Sequence, residues 1–129
     1  MAHGAPDWTR QVQIVIVEGQ PADEAAAGDI GNYSGTDETY QTVATWTVAT
    51  DKVGELKEIL IISDNYAKTE VRITIDGTVF ETDWSPTSAM PIIFEDLRLA
   101  AAAVVLVEAQ SSDGTAIDVD AIIIGKEVG

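Results

Sequence analysis

The chain has no cysteine, which excludes disulfide frameworks, thiolate metal sites and cysteine nucleophiles together. Histidine occurs once, as His3, near the start of the chain, where nothing would hold it beside a serine. A Ser-His-Asp arrangement and a histidine-based zinc site are both excluded on that ground. Cations are scarce: 7 Lys and Arg stand against 22 Asp and Glu, for a formal charge of −15 and a pI near 4.1. A nucleic-acid surface needs clustered cations, and an anionic membrane surface needs them as well, so neither is an expected partner. Long apolar runs are missing too. The longest, residues 99–107, is nine residues, about half of a membrane-spanning helix. Residues 1–8 lack the basic start and apolar run of a signal peptide.

Against these shortages, 46% of the residues are hydrophobic, so the chain should bury a core rather than remain an acidic coil. Its 129 residues suit one domain, expected over residues 10–129 with an N-terminal arm at residues 1–9. A charge of −15 on so small a body opposes compaction in dilute buffer. In molar salt the screening length falls to about 3 Å and that repulsion fades. The composition therefore reads as an adaptation to brine, with the ordinary acidic surface of a mesophilic protein as the alternative.

The hydrophobic pattern has the period of strands. Residues 11–18 (QVQIVIVE) are β-branched and end at Gly19-Gln20-Pro21, which predicts a first strand apolar on both faces. Residues 21–39 are rich in Gly, Ala and acids and read as a long acidic loop. Residues 40–50 alternate, with Tyr40, Thr42, Ala44, Trp46 and Val48 on one face and Gln41, Val43, Thr45, Thr47 and Ala49 on the other, and Trp46 should point into the core. Further strands are expected at 55–63, 70–75, 78–84, 90–94, 101–109 and 115–127, with a small one at 97–99. Asp76-Gly77 between two alternating runs is the strongest hairpin signal, because a type I′ turn needs φ > 0 at both positions. In the last strand Ile117, Val119 and Ala121 should face in and Asp118 and Asp120 out. The fold class is therefore all-β: a two-sheet antiparallel β-sandwich, jelly-roll-like, of eight or nine strands.

Few residues suggest chemistry. Asp113, Asp118 and Asp120 lie close in sequence near the last turn and are the candidate ligands for a structural calcium or sodium ion; no other cofactor is expected. Asn32-Tyr33-Ser34 is a glycosylation tripeptide, with Asn32 as acceptor. Trp8, Trp46 and Trp84, with Tyr33, Tyr40 and Tyr66, could build a sugar-stacking platform; the competing reading buries Trp46 and uses Trp8 and Trp84 as anchors. No paired carboxylates sit in a recognisable cleft motif, and no enzymatic activity is expected.

The runs GELKEILIISDN (54–65), TEVRITIDG (69–77), IIFEDLRL (92–99) and SSDGTAIDVDAIIIGK (111–126) carry a resemblance. Over about 75 residues the chain resembles the small β-sandwich accessory proteins that decorate the heads of tailed viruses, and its acidity would suit a virus of halophilic archaea. The resemblance implies a mechanical function. Copies would bind the outer surface of the head, with the major capsid protein as partner, as a homo-oligomer and most simply a trimer. Trp8, Arg10, Val15, Val17, Ile30, Tyr33 and Trp84 are the expected subunit or shell contacts. A turret or tail component is the alternative within the virion. A carbohydrate-binding module is the alternative of another class.

Overall fold

The computed structural model describes residues 24–129. The arm at residues 1–9 and the strand expected at 11–18, with Trp8, Arg10, Val15 and Val17, lie outside the described residues.

Eight strands are found among the described residues: β1 (Glu24–Gly35), β2 (Gln41–Thr47), β3 (Val53–Ser63), β4 (Thr69–Ile75), β5 (Thr78–Trp84), β6 (Pro91–Leu99), β7 (Val104–Ser111) and β8 (Ile117–Val128). They form two antiparallel four-stranded sheets, ordered β1-β8-β3-β6 (sheet A) and β2-β7-β4-β5 (sheet B). Most consecutive strands fall in opposite sheets, and the last strand is inserted between the first and third. That is the jelly-roll order, so the expected fold class holds.

The core follows from alternation. Along β8 the inward residues Ile117, Val119, Ala121 and Ile123 are buried while Asp118 and Asp120 are exposed, as the period of two requires. They meet Leu56, Ile59 and Ile61 of β3 and, across the interior, Trp46, Val71, Ile73, Val105 and Val107 of sheet B. Trp46 is 4% exposed, and its indole N–H donates to Glu127 Oε2 at 2.8 Å, so the one polar atom of the largest core side chain is satisfied. Ser63 and Thr69 share a 2.7 Å hydroxyl bond inside the same core. Asp76 and Gly77 have φ of 49° and 80°, the left-handed pair that the β4–β5 hairpin demands.

The acidic loop expected at residues 21–39 is corrected. Residues 24–35 form β1, a twelve-residue edge strand paired along its whole length with β8. Its Ala and Gly content is poor for a strand, and the cause is tertiary. A Cβ at Gly28 would lie 1.9 Å from the Ile123 carbonyl oxygen, and one at Gly31 would lie 1.8 Å from that of Val43. Glycine is what lets β1 lie this close to both sheets. Asp29 completes the seal: its Oδ2 accepts the Thr45 N–H at 2.9 Å on the edge of β2. Two smaller expectations also change. The segments expected at 90–94 and 97–99 are one strand, β6, and residues 101–103 form a turn, with Ala102 at φ 65°, before β7 begins.

Candidate functional site

The two flanks of the sandwich differ. At the β1–β2 flank the sheets are closed by the Gly31 approach and the Asp29 bond. At the β5–β6 flank two edge strands, consecutive in sequence, face each other across the gap between sheets, joined by residues 85–90. Aromatic side chains collect there.

Phe80 of β5 and Phe94 of β6 meet with ring centroids 5.4 Å apart and planes tilted by 58°, an aromatic contact that ties one sheet edge to the other. Phe80 nonetheless remains 51% exposed. Its position follows from a bulge: Val79 pairs with Thr74 and Glu81 with Ile73, so Phe80 is an extra residue with no partner on β4. A second irregularity follows, because Trp84 pairs with Val71, which leaves Thr82 and Asp83 opposite Arg72. Asp83 takes φ 52°, a conformation that aspartate tolerates better than most side chains.

This second bulge is latched. Tyr40 OH donates to Asp83 Oδ1 at 2.5 Å and accepts the Asp83 N–H at 2.8 Å. Partial burial, and then the bond to the Asp83 carboxylate, push the Tyr40 phenol above its ordinary pKa, so it stays a donor through neutral pH. The Arg72 guanidinium lies 4.3 Å over the Tyr40 ring, and its Nε donates to Glu108 Oε1 at 2.9 Å. Trp84, the next residue, is half-buried against the core at the mouth of a pocket of about 300 Å³. Ser85, Thr87 and Ser88 supply hydroxyls to its wall, and Pro86, Met90 and Ile92 supply apolar surface. The nearby ionisable side chains Glu81, Asp83 and Glu95 are exposed acids.

The residues expected to act from the sequence are scattered. Asp118 and Asp120 do come together on the outer face of sheet A, where Asn32 Nδ2 donates to Asp118 Oδ1 at 2.6 Å and to Asp120 Oδ1 at 2.8 Å. The glycosylation candidate thus has its amide nitrogen engaged between two carboxylates. Asp113 is taken up elsewhere, by Lys68 Nζ at 2.7 Å and by the Thr115 hydroxyl and N–H. First the Lys68 bond and then those to Thr115 hold its carboxyl at about 2. Among the described residues no group of three or more acids or histidines is arranged to hold a metal. Tyr33 turns inward against the core and exchanges hydrogen bonds with Asp37, whereas Ile30 is 76% exposed on sheet A. Of the expected contacts among the described residues (Ile30, Tyr33 and Trp84), Trp84 lies on the aromatic flank. Phe80, Phe94 and the Tyr40–Asp83 latch were not foreseen. The adjacent apolar pair Val79-Phe80, which breaks alternation right after a hairpin, was the available sign.

No family model matches the chain, and no curated protein does either. A similar solved structure is the CBM36-1 domain of a multidomain xylanase from the hindgut metagenome of Trinervitermes trinervoides. It shares 16% identity at a TM-score of 0.40, covering 82% of this chain and 96% of that one. The capsid-decoration reading is corrected here: this similar structure is a carbohydrate-binding domain and not a virion protein. The comparisons bear neither on the brine adaptation nor on any shell partner.

Proposed function

We propose that the protein is a non-catalytic carbohydrate-binding module that takes its glycan along the β5–β6 flank. The observation that carries this reading is the pairing of a half-exposed ring, Phe80, with the hydroxyl-bearing pocket beside Trp84 on the same flank. A pyranose ring presents C–H groups on its faces and hydroxyls around its rim. It calls for a flat apolar platform with short polar groups beside it, and a pocket of this size holds a sugar unit. The bulges and the Tyr40 latch fix Phe80 and Trp84 on β5, and the connection at 85–90 adds the hydroxyls of the pocket wall. The exposed neighbours Glu81, Asp83 and Glu95 are acids and Arg72 is bonded to Glu108, so the module favours neutral glycans over sulfated or uronic ones.

The test is titration calorimetry with neutral oligosaccharides chosen from a glycan array. Phe80→Ala should weaken binding roughly tenfold, the order expected for losing one stacked ring, with the fold intact because the side chain is half in solvent. Failure of the array to show any neutral glycan, or binding indifferent to both Phe80→Ala and Trp84→Phe, would refute the proposal.

A further inference from the structure

The outer face of sheet A is an unfinished surface. Strand register sets Ile30, Ile122, Leu60 and Pro91 side by side in one row across all four strands. The next row places Ile124 and Ile93 on either side of Glu58. Ile30 is 76% exposed, Ile93 63% and Ile124 41%. A contiguous aliphatic patch of this kind on a chain of charge −15 marks a surface that is covered in use.

The charges around the patch identify the cover. The outward residues of β8 run Asp118, Asp120, Ile122, Ile124, Lys126. One end of the face is therefore acidic, with Asp118 and Asp120 drawn together by Asn32. The other end carries Lys126, bonded to Glu24 at 3.1 Å and to Glu55 at 3.4 Å, and the exposed Arg98, which pairs in register with Glu55. The face is aliphatic in the middle apart from Glu58, acidic at one end and charge-balanced at the other, a distribution that suits a two-fold rotation. That rotation brings the acidic end over the end that carries Lys126 and Arg98, where Glu24 and Glu55 also lie, rather than over another wholly acidic surface.

We infer that this face is the interface of a homodimer, with the two-fold axis between Ile122 and Ile124, so that each copy's Ile122 packs on Ile124 of the other. The size is adequate. Four strands about 4.8 Å apart and nine to twelve residues long present roughly 700 Å², near the ~800 Å² per partner of a standard stable interface. A two-fold pair replaces the trimer that the sequence resemblance implied. It leaves Phe80, on the edge of sheet B, uncovered, and it does not depend on the glycan reading.

The test is sedimentation of the full chain from 10 μM to 1 mM in 0.1 M and in 2 M NaCl. A dimer held by aliphatic contact between two bodies of like charge should tighten as salt screens their repulsion. Ile30→Asp and Ile93→Asp should each weaken it at least tenfold, while Thr47→Asp on the exposed face of sheet B leaves it unchanged. A chain monomeric in both salts would overturn the inference, as would a dimer insensitive to Ile30→Asp and Ile93→Asp. Association that appears only after removal of residues 1–23 would also overturn it, since the chain's own amino-terminal segment would then be the occupant. A basic protein partner would be betrayed by the opposite dependence: capture by the full chain in dilute salt, lost at 2 M, with no self-association.

Discussion

The two outer faces of the sandwich are built from the same kind of strand and end in opposite states. On sheet B the outward residues of β4 and β7 are matched across the ladder, Glu70 with Gln110 and Arg72 with Glu108, and each pair is closed by a hydrogen bond. Arg72 also roofs Tyr40, so the polar groups of that face are largely spent on one another. On sheet A the corresponding positions carry isoleucine, leucine and proline with nothing of their own chain over them among the described residues. A face that satisfies itself contributes to monomer stability. One that leaves apolar area in water contributes only when something covers it.

That contrast is broken most severely at Gly31. Replacing it by alanine drives a methyl into the Val43 carbonyl and levers β1, which bears Ile30, off the sandwich. The expected loss is about 2–4 kcal/mol, visible as a fall of about 10 °C in the thermal midpoint. The contrast is sharpened at Arg72. Arg72→Met strands Glu108, whose side chain is only 12% exposed, and uncovers Tyr40. It should cost about 1–2 kcal/mol by chemical denaturation, against less than about 0.5 kcal/mol for Ile30→Lys on the other face. Equal costs at the two positions would remove the distinction. The smallest effect concerns the end of the molecule where the β7–β8 turn is pinned. The Asp113 carboxyl is depressed from 3.8 to about 2 by Lys68 and Thr115, so its stabilising effect is complete above about pH 4 and disappears as pH falls through 2. Asp113→Asn should flatten that part of the acid-unfolding curve, measured by circular dichroism between pH 4 and 2, and leave the rest unchanged.

How far the sequence foretold this molecule depends on where the cause of each element lies. Where it is local, the reading holds. The Asp76-Gly77 turn and the strict alternation of β4 and β8 specify their own hairpin and faces, and Trp46 is buried as its strand pattern required. β1 fails the same reading because nothing in Ala25-Ala26-Ala27-Gly28 prefers an extended chain. It becomes a strand because β8 offers a full partner and glycine allows the approach. The aromatic flank was half legible. Trp84 stood out by type, but Phe80 owes its exposure to a bulge, a register event between two strands that composition does not announce. Asp113, grouped with Asp118 and Asp120 by proximity in sequence, belongs to a different contact altogether, because the turn sends it to Lys68 and sheet pairing gives the other two to Asn32.

The placement of β8 between β1 and β3 also governs when the molecule can form. Sheet A has no continuous ladder until its final strand arrives, since β1 and β3 never touch as neighbours and both hydrogen-bond to residues within 117–128. During synthesis the hairpin of β4 and β5 can close on its own, but β1 must wait for residues made roughly a hundred positions later. Refolding should accordingly run on the slow, millisecond-to-second scale of non-local β proteins. A nascent chain halted before residue 117 would hold a paired sheet B and an orphaned β1.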